Sequence, residues 1–250
     1  MAFLTCHFNS EVLGKACDMN VIIPQKPRKA GCPPYPVLYL LHGLSDDAST
    51  WMRRTSIERY ASEYDLVVIM PNGDRCFYTD TQTGFRYWTM LSQELPEIVA
   101  NLFPISKLRE DTYAAGLSMG GYGALKLALK QPDRFAGAVG LSSVADIQFW
   151  FSTHYANPEM AYIFGSAEKI DQQGNNLFLL ADSAAKTPNP PRIMTVCGTE
   201  DGLYEGNQNF RRHMEEIGYP NYQYREGPGN HSWAFWDQWI QVALKFLLEK

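Results

Sequence analysis

Apolar residues along the chain fall into short continuous runs that alternate with segments of helical spacing. Two early runs, residues 3–8 and 19–23, predict strands that form an antiparallel hairpin. The later alternation of strand-like and helix-like segments predicts an α/β fold, with a mostly parallel sheet covered by helices on both faces. The later predicted strands are 37–41, 66–70, 113–115, 137–141, 192–197 and 222–225, and the predicted helices are 56–64, 94–103, 122–130, 208–217 and 233–249.

The alternation lapses between residues 142 and 191, and this stretch is rich in aromatic residues. It predicts an insertion of short helices over the site, and two interpretations stay open for it: a lid that shapes the substrate pocket, or additional core packing. No linker-like stretch divides the chain, so residues 1–250 are expected to form a single domain. The aromatic residues in question are Phe149, Trp150, Phe151, Tyr155, Tyr162 and Phe164.

A serine flanked by glycines follows the strand at 113–115. The sequence Gly-Leu-Ser-Met-Gly at 116–120 matches the G-x-S-x-G pattern, which places a serine on a sharp turn between a strand and a helix. Glycine stands two residues to either side because a Cβ there would collide with the neighbouring element. Ser118 is therefore the candidate nucleophile.

A serine hydroxyl needs a base to take its proton, and in the α/β-hydrolase fold the histidine follows the serine along the chain. Three histidines qualify: His154, His213 and His231. His213 has the position of a solvated residue on an amphipathic helix, and His154 lies among aromatic residues away from any predicted strand end. His231 lies in a Gly/Pro-rich turn between a strand and a helix, so it is the predicted base.

The acid of the triad is expected after another strand, because loops at the carboxyl ends of strands carry the chemistry in open α/β sheets. Glu200 and Asp201 both follow the predicted strand 192–197. We favour Asp201, because its Gly-Thr-Glu lead-in is similar to the loop that presents aspartate in this superfamily. The competing interpretation is that both acids are ordinary turn residues.

Acyl transfer also needs hydrogen-bond donors for the oxyanion. In this fold one donor is the amide of the residue after the nucleophile, here Met119, and the other lies in the loop after an earlier strand. The strand at 37–41 ends in His42-Gly43-Leu44, so we predict the Leu44 amide as the second donor. His42 precedes the serine, and we interpret it as a residue that holds this loop through hydrogen bonds.

These residues stand within a longer series of matching motifs, and the chain resembles the esterase D group of α/β-hydrolases. The resemblance is to the bacterial tributyrin esterases in particular, with S-formylglutathione hydrolases and feruloyl esterases as wider relatives. It implies carboxylester hydrolysis by Ser118, Asp201 and His231, without a cofactor. The chain departs from the family at Leu44, where a small residue or methionine is usual. The resemblance therefore does not define which residues form the wall of the acyl pocket. The other motifs are Trp51, Met70-Pro71-Asn72-Gly73, Phe77-Tyr78-Thr79-Asp80, Glu94-Leu95-Pro96, and His231-Ser232-Trp233.

The composition of the chain excludes some classes of binding partner. A net charge of −5 without a basic cluster argues against nucleic acid and anionic membrane surfaces, and a small neutral ester fits better. Neither a signal peptide nor an apolar run of about 20 residues is present, so a cytoplasmic protein is expected. The five cysteines include no C-x-x-C pair, so neither a disulfide framework nor a zinc or other metal site is indicated. The family resemblance implies a possible homo-oligomer.

Three tryptophans are candidates for binding substrate: Trp88, Trp51 and Trp233. Core packing is the competing interpretation, and it is favoured for Trp51 and Trp233. The abundance of aromatic residues favours a compact acyl slot, and a compact slot favours short-chain acyl esters as substrates. The same residues would serve a thioesterase, a feruloyl esterase or an acyltransferase, and a non-catalytic scaffold of the same fold is the alternative from another class.

Overall fold

A computed structural model describes residues 1–26, 34–154 and 157–249. Within these residues, eight strands form one sheet in the order β1-β2-β4-β3-β5-β6-β7-β8. The hairpin of β1 and β2 joins the sheet antiparallel, and all pairings from β4 to β8 are parallel. This confirms the predicted α/β-hydrolase class of fold. The strands are β1 Ala2–Ser10, β2 Lys15–Ile23, β3 Val37–Leu41, β4 Val67–Pro71, β5 Thr112–Leu117, β6 Gly137–Leu141, β7 Arg192–Gly198 and β8 Tyr222–Gly227.

Helices cover both faces of this sheet. Helix α5 directly follows the candidate nucleophile, and helices α6 to α9 occupy the stretch where the alternation of the sequence lapses. The helices are α1 Thr50–Arg54, α2 Ile57–Ala61, α3 Tyr87–Thr89, α4 Leu95–Leu102, α5 Met119–Lys130, α6 Ile147–His154, α7 Pro158–Phe164, α8 Ala167–Gln172, α9 Leu177–Ala184, α10 Tyr204–Glu216 and α11 Trp233–Leu248.

Two predicted helices differ from those observed in more than their ends, and the predicted helices 122–130 and 208–217 begin three and four residues earlier, at Met119 and Tyr204. The predicted helix 56–64 is shorter, with α2 covering only Ile57–Ala61, and a separate helix that was not predicted, α1, precedes it and ends before Thr55, which is extended with φ −135°. The predicted helix 94–103 begins earlier, at Tyr87, because α3 continues through a π-helical turn, Met90–Glu94, into α4. A π turn places an extra residue in the helix, which breaks the 3.6-residue spacing on which the prediction depended.

The central strands are buried on both faces, which explains why they read as continuous apolar runs. Alternate residues of β3 belong to two different hydrophobic clusters: Tyr39 and Leu41 to one, Leu38 and Leu40 to the other. The first cluster lies under α5 and the insertion helices, and the second lies under α11. The two layers fix the sheet between them and hold the carboxyl ends of its strands in one place.

Those carboxyl ends gather the candidate site. Ser118 follows β5 directly, and Asp201 lies three residues after β7. His231 lies on the loop between β8 and α11, and His42 follows β3. Because parallel strands point the same way, residues that are distant in the sequence meet at one edge of the sheet.

Candidate active site

Ser118 adopts a strained backbone conformation, with φ 53° and ψ −119°. A Cβ at Gly116 would lie 2.3 Å from the carbonyl oxygen of Gly120, and a Cβ at Gly120 would lie 2.3 Å from the carbonyl oxygen of Leu41. Both contacts are with backbone, which cannot move aside as a side chain could. The two glycines therefore permit the tight turn that presents the Ser118 hydroxyl, as the sequence pattern predicts.

His231 connects the serine to the acid. Its Nε2 lies 3.1 Å from Ser118 Oγ, and its Nδ1 lies 2.9 Å from Asp201 Oδ2 and 3.1 Å from Oδ1. The Asp201 side chain has no exposed surface, whereas the His231 side chain is 37% exposed. A carboxylate only accepts hydrogen bonds, so Nδ1 carries the proton and Nε2 is left to accept one from the serine hydroxyl. The structure thus brings the three predicted residues within hydrogen-bond distance.

The Asp201 carboxylate stays ionised despite its burial. Burial raises the pKa of Asp201, but hydrogen bonds from His231 and from the Leu203 amide outweigh it. The charge of His231 and the Ser142 hydroxyl act in the same direction, so the pKa lies below its ordinary value of 3.8. The Leu203 amide donates to Oδ1 over 2.8 Å, which fixes the orientation of the carboxyl group.

Glu200, the competing acid, holds the loop of the histidine instead. Its amide donates to the carbonyl of Gly229 over 3.0 Å, and its carboxylate accepts a hydrogen bond from the Gly229 amide. A Cβ at Gly198 would lie 2.2 Å from the same carbonyl oxygen, so the end of β7 and this loop are in close contact. Glu200 therefore contributes to the placement of His231 without touching its ring.

The two other candidate histidines lie elsewhere. His154 is exposed on α6, where its ring stacks on Trp150 at 4.3 Å between centroids. His213 is partly buried, and its Nε2 lies 2.9 Å from Asp182. The solvated position predicted for His213 is therefore wrong, because this contact and the ring of Phe178 at 4.7 Å cover it.

The two predicted oxyanion donors belong to residues near Ser118. Met119 begins α5, where a backbone N–H has no partner within the helix. Leu44 follows Gly43, at which a Cβ would lie only 3.8 Å from the Cβ of Ser118. Across the described parts of the chain, neither the Leu44 nor the Met119 amide is bonded to another protein group. Both N–H groups thus lack a protein acceptor among the described residues, and their role as oxyanion donors stays a prediction.

His42 holds the loop that carries Leu44. Its Nε2 accepts a hydrogen bond from the Gly73 amide over 2.9 Å, so its Nδ1 carries the proton and donates to the carbonyl of Gly43 over 2.7 Å. Tyr78 donates from its hydroxyl to the His42 carbonyl over 3.0 Å. Burial lowers the pKa of His42, and the smaller opposing effects of the Gly43 hydrogen bond and nearby carboxylates leave it below 6.5. The ring is therefore a neutral support, which agrees with the interpretation made from its position in the sequence.

Arg75 connects the oxyanion loop to the insertion, and no sequence pattern indicated this. It donates to both carboxylate oxygens of Glu159 on α7, over 2.6 and 2.8 Å, and to the carbonyl of Leu44 over 3.3 Å. Two parallel bonds between a guanidinium and a carboxylate define their relative orientation. The insertion is thereby attached directly to Leu44, the residue predicted to offer the second oxyanion donor.

Lys126 makes a second connection to the insertion, from the interior of α5. Its side chain is fully buried, and its amine donates to the Tyr78 carbonyl, the Thr79 hydroxyl and Asn175 Oδ1 over 3.1, 2.8 and 2.6 Å. The Trp88 ring centroid lies 4.6 Å from the same nitrogen. A lysine in a helix usually indicates a solvated face, so sequence reasoning missed this group.

An aromatic cluster fills the space between the insertion and the first turn of α5. Phe77 lies at its centre, with ring centroids 4.9 Å from Trp150, 5.4 Å from Phe164 and 6.1 Å from Tyr122. Tyr122 stands one helical turn after Ser118, and its amide donates to the Ser118 carbonyl. Phe77, Phe164 and Tyr122 are buried, so the cluster packs the insertion against α5. Tyr155, another aromatic residue of the insertion, lies outside the described residues.

The three tryptophans predicted to bind substrate differ in their surroundings. Trp51 is only 1% exposed and donates to the Leu41 carbonyl over 3.0 Å, so the prediction that it binds substrate is wrong. Trp88 is partly buried, with its ring centroid 4.6 Å from Lys126 Nζ, and its contact with substrate stays a prediction. Trp233 packs between Trp51 and Trp236 beneath the histidine loop, and its contact with substrate stays a prediction.

Among the described residues, no group of three or more His, Cys, Asp or Glu side chains is arranged to hold a metal ion. No described helix has the length and the apolar character needed to cross a bilayer. The cysteines at 6, 17, 76 and 197 are free thiols, and Cys32 lies outside the described residues.

A strained serine beside an imidazole and a buried carboxylate, at the carboxyl edge of this sheet, defines the fold as that of the α/β-hydrolases and the class as the serine hydrolases. Comparison with solved structures agrees. Fluorophosphonate-binding serine hydrolase F of Staphylococcus aureus, solved with substrate bound, is 37% identical with a TM-score of 0.91, over 100% of this chain and 99% of that chain. The S-formylglutathione hydrolase FrmB of the same organism is 36% identical with a TM-score of 0.88, over 99% of both chains.

Sequence comparison defines the family. An acetyl esterase of Caldicellulosiruptor saccharolyticus is 29% identical over 99% of this chain and 98% of its own length. The family model described as putative esterase matches residues 10–247, and the chain belongs to this family. It is accordingly a hydrolase that acts on esters, which confirms the resemblance drawn from its motifs.

Proposed function

We propose that the protein is a carboxylesterase that hydrolyses short-chain acyl esters through a Ser118-His231-Asp201 triad and an acyl-enzyme intermediate. The observation that carries this proposal is the pair of contacts made by one imidazole, 3.1 Å to the serine oxygen and 2.9 Å to the carboxylate. Such a relay raises the nucleophilicity of a serine, which is a poor nucleophile alone. No cofactor is needed for this chemistry.

In the first step Ser118 Oγ attacks the ester carbonyl while His231 Nε2 removes the hydroxyl proton. Asp201 stabilises the resulting imidazolium through the Nδ1–H hydrogen bond. Negative charge develops on the carbonyl oxygen, and the amides of Leu44 and Met119 donate to it. When the tetrahedral intermediate collapses, the C–O bond to the alcohol breaks, and His231 gives its proton to the leaving oxygen.

In the second step water replaces the alcohol. His231 removes a proton from water as its oxygen attacks the acyl carbon of the Ser118 ester, and the same two amides stabilise the oxyanion. The C–O bond to Ser118 then breaks, and His231 returns the proton to the serine. The acid leaves and the enzyme is restored.

The preference for short acyl chains is supported by the aromatic cluster. Phe77, Tyr122, Trp150 and Phe164 occupy the space beside the first turn of α5, and Tyr122 is fully buried. Trp150, which stays partly exposed beside the buried rings, is the proposed wall of a compact slot for the acyl group. The similarity to an acetyl esterase supports the same choice.

Labelling with a fluorophosphonate probe, together with hydrolysis of p-nitrophenyl acetate, tests the triad. We expect Ser118→Ala to abolish labelling and to reduce kcat by several orders of magnitude, with the fold intact by circular dichroism. Ser45→Ala is the matched control, because Ser45 is an exposed serine on the neighbouring oxyanion loop. A Ser118→Ala variant with near wild-type hydrolysis contradicts the proposal.

The base and the acid are tested with the alternatives that the chain itself offers. We expect His231→Ala to abolish hydrolysis, whereas His154→Ala and His213→Ala retain it. Asp201→Asn is expected to lower kcat by about 10⁴, because an amide favours the wrong imidazole tautomer. Glu200→Gln keeps the shape of the loop contact and is expected to lower kcat far less. The reverse ranking of the two acids would refute the assignment of Asp201.

Hydrolysis of S-formylglutathione is a second candidate, favoured by the similarity to FrmB across nearly the whole of both chains. The same triad would cleave a thioester, with the thiol as the leaving group. A panel of acetyl, butyryl, octanoyl and feruloyl esters with S-formylglutathione distinguishes the two by kcat/KM. The proposal expects the acetyl or butyryl ester to be the best substrate, and a preference for the thioester or for longer chains contradicts it.

A further inference from the structure

A cavity lies at the edge of the sheet opposite Ser118, beside the amino ends of β3 and β5. Its volume is about 430 Å³, within the range of small-molecule sites. The first residues of the two strands, Val37 and Thr112, line it together with residues of α4. Among the described residues that line it, none belongs to the candidate active site. A ligand in this cavity would therefore bind apart from the triad.

Part of the cavity wall is aliphatic. Val37 of β3, Pro96 and Ala100 of α4, and Ile105 beyond that helix all contribute to it. Val37 and Ile105 are buried, so this part of the wall is held in place by the core. Such a surface fits a small apolar body, for example a phenyl ring or a short alkyl chain.

The phenol of Tyr39 lines the same cavity and lacks a hydrogen-bond partner. The residue is 3% exposed, and its ring contacts Phe135 with 6.1 Å between centroids. Its hydroxyl makes no hydrogen bond with any other described residue. Buried hydroxyls in proteins are nearly always paired, so an unpaired one at a cavity indicates a place for a ligand. Burial raises the pKa of Tyr39, and the charge of Arg134 only partly opposes this, so the phenol keeps its proton and can donate it.

Ser106 supplies a second hydroxyl at the same cavity. The residue is 2% exposed, and its Oγ accepts a hydrogen bond from the Leu108 amide over 3.2 Å. A serine hydroxyl both accepts and donates, and the proton of this one makes no bond with the described residues. Two buried hydroxyls thus have a proton to donate, which fits a ligand that accepts hydrogen bonds.

Two cations and one acid stand at the exposed side of the cavity. Lys107, Arg134 and Glu97 line it, and all three are exposed. The Lys107 amine has no partner among the described residues. Arg134 uses Nη1 to donate to the Ser92 carbonyl and to Gln131 Oε1, whereas its Nε and Nη2 donate to no described residue. The three side chains carry a net charge of about +1, which suits a ligand with a single negative charge.

We propose that this cavity binds a small organic monoanion, a carboxylate carried on an apolar body. The carboxylate accepts hydrogen bonds from the Tyr39 and Ser106 hydroxyls, and Arg134 and Lys107 supply the opposite charge. The apolar body packs on the aliphatic wall. A phosphate monoester would bring two negative charges to a net charge of one, so it fits less well. The cavity shares no described residue with the triad, so this binding is independent of the proposed function.

Isothermal titration calorimetry of the whole protein with benzoate and with hexanoate tests the proposal. We expect a Kd of about 1 mM or below for at least one of the two. Benzamide keeps the ring and lacks the charge, and we expect it to bind more weakly than benzoate. The absence of heat from both carboxylates at about 10 mM overturns the proposal. So does benzamide that binds as tightly as benzoate, or phenyl phosphate that binds more tightly than either carboxylate.

Variants locate the bound carboxylate. We expect Tyr39→Phe to weaken it roughly tenfold or more, because a hydrogen bond to a charged group is lost, and Lys107→Gln to weaken it several-fold. Tyr219→Phe is the matched control: Tyr219 is 6% exposed, and its hydroxyl donates to the Pro191 carbonyl away from the cavity. Lys186→Gln is the control for an exposed lysine, and neither control should change the Kd. A carboxylate that binds Tyr39→Phe as tightly as the wild type lies elsewhere, the triad included, and overturns the inference.

Thermal unfolding without ligand gives a second measurement. The Tyr39 hydroxyl has no protein partner to lose, so we expect Tyr39→Phe to unfold at the wild-type Tm or above it. Tyr219→Phe loses its bond to the Pro191 carbonyl and should unfold at a lower Tm. A drop in Tyr39→Phe as large as that in Tyr219→Phe would assign the hydroxyl a structural role and overturn the inference. A wild type without esterase activity overturns the proposed function alone, because binding is measured without turnover.

Discussion

Replacement of the buried Lys126 by methionine tests how the helix of the nucleophile is connected to the insertion. Methionine has a similar length and no amine, so Lys126→Met keeps the contact with Trp88 and removes only the donors. The lost bonds are those to the Tyr78 carbonyl, the Thr79 hydroxyl and Asn175 Oδ1. The variant therefore isolates the polar contribution of a single side chain in the interior.

The size of the effect follows from the acceptors left behind. The Tyr78 carbonyl loses the amine that donates to it, and Asn175 Oδ1 keeps only the hydrogen bond from the Thr79 hydroxyl, at 3.3 Å. A buried acceptor without a partner costs about 1–3 kcal/mol, so the two together cost about 2–6 kcal/mol. Burial, aided by the charge of Lys130, lowers the pKa of Lys126, and the methionine relieves that penalty. We expect a net loss of about 3 kcal/mol, or roughly 6–12 °C in Tm for a domain of this size.

Urea unfolding followed by circular dichroism measures this loss, and Lys130→Met is the matched control. Lys130 lies one turn further along α5 and donates to the carbonyls of Gln173 and Gly174, but it is only half-buried. Water can replace its bonds, so we expect the control to lose less than about 1 kcal/mol. A loss in Lys126→Met no greater than that in Lys130→Met would refute the reasoning.

Three further predictions concern the turn, the oxyanion loop and the acyl slot. Gly120→Ala places a Cβ 2.3 Å from a carbonyl oxygen of β3 and should lower the free energy of unfolding in urea by about 3 kcal/mol, whereas Gly202→Ala, with open space around it, should be nearly neutral. Burial holds the pKa of His42 below 6.5, so acid protonates the unfolded chain first. Stability should therefore fall as the pH drops from 6.5 towards the folded-state value, by at most about 1.4 kcal/mol per pH unit, and less steeply in His42→Asn, as urea titrations at several pH values would measure. Trp150→Ala should raise the octanoate-to-acetate ratio of kcat/KM by opening the aromatic cluster, while the same change at the exposed Phe149 should not; equal ratios would count against the cluster as the wall of the slot.

The sheet was predictable because its strands lie between two layers of side chains. Burial on both faces produces the continuous apolar runs, and β3 and β6 match their predicted bounds at 37–41 and 137–141. The convergence of Ser118, His231 and Asp201 was predictable too, because strand order and strand ends set it. Local pattern and topology determine these features together.

The residues that support the site were not predictable, because their partners are distant in the sequence and have no fixed spacing. Lys126 has the appearance of a solvated lysine until Asn175 is folded onto it, and Arg75 has no visible partner until α7 brings Glu159 beside it. Ser142 likewise accepts a hydrogen bond from the indole of Trp236, which lies 94 residues further along the chain. Such contacts depend on how loops pack, and the periodicity of a single chain does not encode them.

The bridge made by Arg75 has a consequence for how this enzyme can change its substrate range. One guanidinium binds both the Leu44 carbonyl and the Glu159 carboxylate, so the insertion is connected to the Leu44 backbone, for which we propose a role in binding the oxyanion. A replacement for the insertion must supply an acidic residue at position 159. Without one, Arg75 loses its carboxylate partner. Under the proposed function, a change of specificity in this segment also affects turnover, and we expect variants with new substrates to keep an acidic residue at position 159.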